Sequence, residues 1–395
     1  MLEATLRERA KGLLTAASGR SDVPPFMVMD VMAAAARIEA AGGHVIHMEV
    51  GQPAASAPKA AIQAARAALD SRIDYTAALG TPSLRERIAR HYRESYGFAV
   101  DSSRIVVTTG SSAAFILAFM AMFEPGDRVA VTVPGYPPYR HILTALGCEP
   151  VLIETTSETR HALTGEALLA AHHKAPLKGV LVASPANPTG TMMSREALSG
   201  LISAAESAGI RFISDEIYHG LDYAFPAVTA AELSADALVI NSFSKYFCMT
   251  GWRVGWMVVP EPLVRPIERL QQNLSISVPT LSQIAAEAAF DGKPEMEEVK
   301  RAYLENRRIL IEGLPRAGLT KFLPADGAFY LYADVSDFTS DSLAFAGQML
   351  EKAHVAATPG VDFDPIHGRQ FIRLSYARSA HEMREAVERI ARWLK

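Results

Sequence analysis

A lysine, two serines and an arginine lie close together in this chain, in a combination able to hold both an aldehyde and a phosphate. The segment Ser242-Phe-Ser-Lys245 is followed by Arg253 in Thr-Gly-Trp-Arg-Val-Gly-Trp. The Lys245 amine can condense with an aldehyde as a Schiff base, while Ser242 and the Arg253 guanidinium can bind a phosphate dianion. Pyridoxal phosphate carries both groups. The alternative is a solvated lysine and an arginine paired with a carboxylate, because short motifs often occur by chance.

A second phosphate-binding element is predicted at Thr109-Gly110-Ser111-Ser112, between a predicted strand and an apolar helix. The first amides of a helix have no partner within the helix, and its macrodipole attracts anions. Gly110 allows a close approach and Ser111 adds a hydroxyl. The alternative is an ordinary helix-capping serine.

Asp215 and Tyr218 follow the apolar run Arg-Phe-Ile-Ser, where a strand is predicted to end. A carboxylate in an apolar setting is costly unless a cation or a donor satisfies it. A pyridinium N–H would do so, and Asp215 would keep that nitrogen protonated so that the ring accepts electrons. Tyr218 could donate to the phenolic oxygen of the ring. A helix cap or a salt bridge is the alternative for Asp215.

Three further residues have types suited to a flat cofactor and an amino acid. Asn187 lies in the proline-locked loop Ser184-Pro-Ala-Asn-Pro-Thr-Gly and could donate to a cofactor oxygen or a carboxylate. Tyr136 could lay its ring over an aromatic face. Arg373, between apolar residues of a predicted strand, could grip an α-carboxylate with two hydrogen bonds. The alternatives are a plain turn, a core tyrosine and a surface arginine.

The elements that must position these residues form an α/β pattern. Short β-branched runs alternate with helical segments from about residue 104 to 260, which indicates βαβ units and a largely parallel sheet. Each polar cluster described above follows a predicted strand, and ligands of such sheets bind at the carboxyl ends of the strands. Beyond residue 262 the pattern changes to that of a smaller α+β lobe, on which the residues before 46 are expected to pack.

Bulk composition excludes several classes of protein. The 395 residues include 39 Lys plus Arg and 43 Asp plus Glu, and a net charge of −4 gives no reason to expect nucleic acid or a membrane as partner.

The longest apolar run, Ala113 to Phe123, has 11 residues, fewer than the ~18 that span a bilayer. The N-terminus lacks the form of a secretory signal, so the cytoplasm is expected. The two cysteines have no zinc-binding spacing, and no metal site is predicted.

Taken together, the motifs resemble the class I/II aminotransferases, which are fold-type-I pyridoxal-phosphate enzymes, and are most similar to the aspartate and aromatic transaminase branch. The resemblance covers nearly the whole chain and rests on Gly51-Gln-Pro, Tyr75-x-x-x-x-Gly80, Gly110-Ser111, Tyr136, Asn187-Pro-Thr-Gly190, Asp215-Glu-Ile-Tyr218, Ser242-Phe-Ser-Lys245, Gly251-Trp-Arg253-Val-Gly and Arg373. It implies a mostly parallel seven-stranded sheet with helices on both faces in a large domain at 46–290. A smaller α+β domain would comprise residues 1–45 and 291–395.

The resemblance also implies a ping-pong transfer of an amino group from an L-amino acid to a 2-oxo acid. Lys245 would carry the cofactor and shuttle a proton between the substrate Cα and the cofactor. Asp215 would contact the ring nitrogen, Tyr218 and Asn187 the ring oxygen, and Tyr136 would stack on the ring. Asp215 and Tyr218 would thus join Lys245 as catalytic residues.

The remaining implied contacts concern the phosphate, the substrate and a second subunit. The phosphate ligands would be Gly110, Ser111, Ser112, Ser242 and Arg253. Arg373, with Asn187 and the backbone of Gly51, would bind the substrate carboxylate. Tyr75 would reach the phosphate in the partner subunit's site, so the resemblance implies a homodimer with shared active sites.

Two departures from the family pattern concern the substrate side chain. Gly51-Gln-Pro is followed by Ala-Ala-Ser where relatives often have an acid and an aromatic residue, and Ser112 stands where some acid-specific relatives have a lysine. A neutral or hydrophobic donor is therefore at least as consistent as aspartate.

Other functions share parts of this pattern. Pyridoxal-phosphate C–S lyases and other Cα or Cβ lyases use the same framework, because the outcome depends on which Cα bond stands perpendicular to the ring. A non-enzymatic regulatory module with this fold would need a DNA-binding extension, which is not found before residue 46. Ser242-x-x-Lys245 also matches a serine β-lactamase motif, but the Lys-Thr-Gly strand of those enzymes does not occur in the chain.

Overall fold

A seven-stranded sheet lies at the centre of the structure, a computed structural model that describes residues 16–395. The first 15 residues, which belong to the predicted small domain, lie outside the described residues. The strands in chain order are β1 (Ile46–His47), β2 (Ile105–Thr108), β3 (Arg128–Val133), β4 (Glu149–Glu154), β5 (Gly179–Ala183), β6 (Arg211–Asp215), β7 (Leu238–Ser242), β8 (Gly255–Val258), β9 (Lys321–Phe322), β10 (Tyr330–Asp334), β11 (Val355–Ala356), β12 (Thr358–Pro359) and β13 (Phe371–Ser375).

The order of strands in the large sheet is β2-β8-β7-β6-β5-β3-β4. All neighbours are parallel except at β8, which runs antiparallel to both β2 and β7. The predicted α/β fold with a mostly parallel sheet is confirmed. The carboxyl ends of the parallel strands meet along one edge of the sheet, where the loops that contain the predicted site residues begin.

Helices cover both faces of this sheet. The helices of the described chain, some of which pack on the smaller sheet instead, are α1 (Met27–Ala40), α2 (Lys59–Ala68), α3 (Pro82–Tyr96), α4 (Gly110–Met122), α5 (Pro138–Ala145), α6 (Gly165–Lys174), α7 (Arg195–Ser207), α8 (Ala230–Leu233), α9 (Glu261–Leu274), α10 (Thr280–Ala289), α11 (Lys293–Gly313), α12 (Ser342–Gln348) and α13 (Ala380–Leu394). Among residues 16–395, none of these helices is long and apolar enough to cross a bilayer.

Alternation along the strands explains why both faces are covered. Val106 packs with α4 and α9 residues on one face, while its neighbour Val107 belongs to the core on the other face. The same change of face occurs between Phe212 and Ile213. Successive side chains of a strand point to opposite sides, and here both sides are apolar, as in other parallel sheets buried between helix layers.

A smaller antiparallel sheet in the order β12-β13-β10-β9 lies in the C-terminal part of the chain. It is accompanied by the parallel pair of β1 with β11. Helix α1 packs against β11 and β12, with Ala35 next to Leu350 and Ala356 in a small apolar cluster. The limits of 46–290 for the large domain, and of 1–45 with 291–395 for the small one, stay a prediction.

His47 connects the ends of α1 and β1 through two carboxylates. Its Nδ1 lies 2.8 Å from Glu49 Oε1, and its Nε2 lies 3.0 Å from Glu39 Oε1. Hydrogen bonds to Glu49 raise the pKa of His47 to about 9 against the opposing effect of burial, and Glu39 adds to the rise. The Glu49 side chain is fully buried, so the imidazolium supplies the charge that this carboxylate needs.

This arrangement predicts a pH dependence of stability that a His47→Gln variant should lack. The folded-state pKa of about 9 exceeds the ordinary 6.5, so the stabilisation is complete below pH 6.5 and disappears as pH rises through about 9. Because Glu39 is partly exposed, we expect a loss of about 1–2 kcal/mol over this range. The measurement is the free energy of urea unfolding of both proteins from pH 6 to 10. Equal pH profiles for the two proteins would contradict the prediction.

Candidate active site

A cavity of about 260 Å³ opens where the carboxyl edge of the large sheet faces the smaller sheet. Side chains from both sheets line it. The predicted site residues on its wall are Gly51, Ser111, Ser112, Tyr136, Asn187, Asp215, Tyr218, Lys245, Arg253 and Arg373. Gly110, Ser242 and Tyr75 are not on this wall. Residues separated by more than 300 positions in sequence therefore meet in one cavity.

Lys245 follows β7 and is largely buried. Its Nζ donates a hydrogen bond of 2.6 Å to the carbonyl oxygen of Gly51. Burial lowers the pKa of Lys245 to about 8, and the positive charges of Arg373 and Arg253 act in the same direction. A substantial fraction of this amine is therefore neutral near physiological pH, as a nucleophile or a general base requires.

Asp215 ends β6 with its carboxylate on the cavity wall. Oδ1 accepts a hydrogen bond of 3.0 Å from the amide of Ile217, and Oδ2 accepts one from the hydroxyl of Tyr139. Burial raises the pKa of Asp215 to about 6, while Tyr139, the Ile217 amide and Lys245 oppose this rise. The carboxylate is thus held in one orientation. Tyr139 was missed by the sequence analysis, although it lies only three residues after Tyr136.

The first turn of α4 forms an anion cradle with Arg253. Gly110 has a φ of +73°, and a Cβ built on it would lie 2.4 Å from Arg253 Nη2, so only glycine lets the guanidinium lie this close. Arg253 Nη1 donates to the carbonyl oxygen of Thr250 at 3.0 Å. Ser111 and Ser112 complete the turn. Free helix amides, hydroxyls and a guanidinium are the donors that a phosphate needs.

The two serines of the Ser-Phe-Ser-Lys segment have different positions. Ser242 is buried behind the wall, where its Oγ accepts from the Ser244 amide at 3.1 Å and lies 2.9 Å from Ser244 Oγ. Ser244 itself lines the cavity. The sequence predicts Ser242 as a phosphate ligand and indicates no role for Ser244, although both hydroxyls belong to the same motif.

Arg373 is a buried charge that forms no ion pair within residues 16–395. It is 2% exposed, and its ring neighbours are Tyr330 and Phe363, with centroids 4.4 and 4.6 Å from Cζ. Nη1 donates to Asn187 Oδ1 at 2.9 Å, and Nη2 donates to Thr358 Oγ1 at 3.2 Å and to a backbone carbonyl. Nε has no partner among the described residues. An unpaired buried guanidinium is costly, so the site suits an anionic ligand.

Two tyrosines form the part of the wall next to Gly51. The hydroxyls of Tyr218 and Tyr330 lie 2.8 Å apart, and burial raises the pKa of Tyr218 well above its usual range, so Tyr218 keeps its proton. A Cβ at Gly51 would lie 1.9 Å from the Tyr330 hydroxyl. Tyr330 was also missed by the sequence analysis, because only the fold brings β10 to this cavity.

Tyr136 and Tyr75 occupy different environments. Tyr136 lines the cavity and makes edge contacts with Tyr139 and Phe26, at centroid distances of 5.2 and 5.9 Å. Tyr75 is 81% exposed and does not touch the cavity of its own chain.

These residues fit pyridoxal phosphate. The α4 cradle provides donors for its phosphate, Asp215 an acceptor for its ring N–H, and Lys245 an amine for its aldehyde. The unpaired Arg373 leaves a separate place for the carboxylate of an amino acid.

Comparison with known proteins also indicates an enzyme that uses pyridoxal phosphate and an amino acid. The family model for aminotransferase class I and II matches residues 43–390. A valine–pyruvate aminotransferase from Mycobacterium tuberculosis is 48% identical over 380 residues, which cover 95% of this chain and 97% of that protein. The crystal structure of an aminotransferase from the same organism has a TM-score of 0.93 and 47% identity, over 96% of this chain and 99% of its own.

An aspartate aminotransferase from Thermus thermophilus, solved with maleate, has a TM-score of 0.90 and 31% identity, over 96% of this chain and 99% of its own. The relatives are amino-group transferases, which favours transfer over the lyase and regulatory alternatives. The chain therefore belongs to the class I/II aminotransferases, and it is a pyridoxal-phosphate enzyme that moves an amino group from an amino acid to a 2-oxo acid.

Proposed function

We propose that the amino donor is a neutral aliphatic L-amino acid. The observation that carries this proposal is the set of cations on the cavity wall, which among residues 16–395 comprises Lys245, Arg253 and Arg373. Lys245 is required for the cofactor aldehyde, Arg253 lies at the phosphate cradle, and Arg373 is suited to the α-carboxylate. No cation of the described chain is left for the second carboxylate of aspartate or glutamate.

The part of the cavity wall near the start of α1 also supports a neutral aliphatic donor. Phe26, Val28 and Met29 line the cavity there together with Val50. Apolar side chains of this size stabilise an aliphatic side chain and leave a charged one without a partner. The M. tuberculosis relative is named for valine and pyruvate, which agrees with a small aliphatic substrate.

We infer the following roles for the residues of the site. Pyridoxal phosphate supplies an aldehyde for the amine and a ring that accepts the electron pair left at the substrate Cα. Lys245 removes the Cα proton and returns it on the cofactor side, since its amine is partly neutral near pH 8. Asp215, held by Tyr139, keeps the ring nitrogen protonated. Tyr218 donates to the ring oxygen.

Arg373 then determines which bond reacts. Its position beside Asn187 and Thr358 is fixed by hydrogen bonds, so a carboxylate bound to it has one orientation. If that orientation turns the Cα–H bond toward Lys245, the amine would meet the proton in one geometry, which lowers the entropic part of the barrier. Arg373 is therefore proposed as the residue that directs the site toward transamination.

We also propose a homodimer with shared active sites. Exposed apolar side chains occur on segments that the fold brings near one another, namely Leu69, Ile73, Tyr75, Ile116, Met120, Leu274 and Ile276. Helices α4 and α9 are in contact, and Thr280 Oγ1 donates to the carbonyl oxygen of Asp74 at 2.6 Å, which joins the Tyr75 segment to the start of α10. Exposed apolar side chains on neighbouring segments support a subunit interface. Ser112 and Arg253 are exposed in the single chain, so the cradle is open to a partner.

The cytoplasm is the compartment we propose, within amino acid metabolism. Cys148 and Cys248 are both free thiols in the structure, which suits a reducing environment.

A Ser112→Lys variant tests the donor specificity. The added cation should raise kcat/KM for aspartate relative to valine by about tenfold, because it supplies a charge-assisted partner for the second carboxylate. Ser112→Met is the matched control, with similar length and no charge. The measurement is the rate at which each amino acid converts the bound cofactor in a single turnover. A wild-type enzyme that already prefers aspartate over valine would contradict the proposal, and release of ammonia without this half-reaction would contradict transamination.

A Gly110→Ala variant tests the phosphate cradle. The methyl group should displace Arg253 and weaken cofactor binding by about tenfold, the loss expected for one hydrogen bond to a charged group. Gly97→Ala is the matched control, because Gly97 has a similar φ of +66° and no atom within 4 Å of an added Cβ. It should cost about 1 kcal/mol of stability and leave cofactor affinity unchanged. The measurement is titration of the apoenzyme with pyridoxal phosphate. Equal affinities of the two variants for pyridoxal phosphate would contradict the proposed phosphate cradle.

Subunit mixing tests the shared sites. Tyr75→Ala and Lys245→Ala homodimers should each have little activity at limiting cofactor. In the mixed dimer, the site with an intact Lys245 receives an intact Tyr75 from the partner subunit, so activity should rise well above the sum of the two parents. The control is the same mixture before subunits exchange. If exchange is demonstrated by mass and activity does not rise, Tyr75 acts only within its own chain or not at all.

A further inference from the structure

A second cavity, of about 300 Å³, lies behind the catalytic loops and shares no lining residue with the active-site cavity. Its wall includes His219 and Tyr246, each the next residue after a site residue, Tyr218 and Lys245 respectively. The proposed reaction uses none of its side chains. Its volume is within the range of small-molecule sites.

The floor of this second cavity is aromatic. Phe247, Trp256 and Phe290 line it and are 3%, 1% and 7% exposed. The rings of Phe247 and Phe290 meet edge to face with centroids 5.0 Å apart. Rigid aromatic walls of this kind favour a flat apolar group, which they contact by edge and by face.

One buried amide supplies a hydrogen-bond donor to the same space. Asn241, on the cavity wall, is 4% exposed. Its Oδ1 accepts from the Ser242 amide at 2.7 Å, which sets the orientation of the side-chain amide. Its Nδ2 makes no hydrogen bond with residues 16–395, so two N–H groups are available to a ligand. An acceptor oxygen of a ligand in this cavity could therefore bind the Asn241 amide.

The charged side chains at the mouth leave one cation unpaired. Arg87 pairs with Glu94 at 3.2 Å and Lys300 with Asp222 at 3.5 Å. The third acid, Glu297, accepts from the Tyr246 hydroxyl at 2.5 Å. Lys293 is exposed and forms no ion pair with a described residue. Glu297 also forms no ion pair among the described residues, but the Tyr246 hydroxyl donates to it. Lys293 and the Asn241 amide are thus donors on this wall without a partner among residues 16–395, and both are suited to a carboxylate.

We propose that this cavity is a second ligand site, which takes a monocarboxylate with one flat apolar ring. The ring packs against Phe247, Trp256 and Phe290, and the carboxylate accepts from Asn241 Nδ2 and pairs with Lys293. Through Ser242, Asn241 lies two hydrogen bonds away from Ser244 of the active-site wall, and the bound carboxylate lies three away.

Phenylacetate is a suitable probe, because it has the ring and the carboxylate but no amino or oxo group to react. The titrations use holoenzyme with Arg373→Met, which removes the carboxylate grip of the active site. In that background calorimetry should detect phenylacetate binding, and uncharged phenylacetamide should bind less tightly. Adding Asn241→Asp should weaken phenylacetate by about tenfold or more, because it keeps the Ser242 contact and replaces the free donor with an acceptor.

The second variant is Lys293→Ala, which should weaken phenylacetate binding about threefold to fivefold and leave transaminase activity unchanged. Lys174→Ala, an exposed lysine at the end of α6, is the matched control and should have no effect. Absence of phenylacetate binding in the Arg373→Met background would overturn the proposal. So would binding that neither Asn241→Asp nor Lys293→Ala weakens.

A crystal structure of the wild-type holoenzyme with phenylacetate provides the second measurement if Arg373→Met fails to fold. Density for the ring against Phe247 and Phe290, with the carboxylate at Asn241, would support the site. Density in the active-site cavity alone would overturn it.

Discussion

The charge of Arg373 is the constraint on which the site depends. It lies in the interior with aromatic rings on either side and with hydrogen bonds from only two of its three nitrogens. Such a charge is costly in a protein interior, and the carboxylate of the proposed substrate would offset part of this cost. The same positive charge helps to lower the pKa of Lys245. Recognition of a carboxylate and activation of the amine are therefore electrostatically connected.

Much of the fold could be predicted from the sequence, because the buried parallel strands are short β-branched runs between helices. The β-branched run at 128–133 has the bounds of β3, and the runs at 179–184, 210–214 and 237–242 differ from β5, β6 and β7 by one residue at one or both ends. The edge strand β4 did not stand out, since Glu149 and Pro150 interrupt its apolar pattern. β8 was missed because it follows the Arg253 motif directly. Its antiparallel direction breaks the alternation of strand and helix on which the prediction rested.

Some residues of the site could also be predicted from the sequence, and others could not. Lys245, Asp215, Asn187 and the α4 cradle could be predicted because each follows a strand whose carboxyl end faces the ligand. Tyr330 could not, because its hydroxyl contacts Tyr218 across 112 positions of sequence and comes from the other sheet. Ser244 could not be separated from Ser242 without knowing which hydroxyl turns toward the cavity. Local sequence identifies the ends of strands, whereas contacts between sheets depend on the complete fold.

The short segment that follows β1 has a consequence for the length of the substrate. Met48 and Ser375 are joined by a backbone hydrogen bond of 2.7 Å, so this segment moves with the smaller sheet. The carbonyl of Glu49 accepts from Arg373 and that of Gly51 accepts from Lys245. Two carbonyls a fixed number of peptide units apart thus set the spacing between the carboxylate grip and the reactive amine. With Arg373 in its proposed role, this spacing would favour amino acids whose amino group is on the carbon next to the carboxylate.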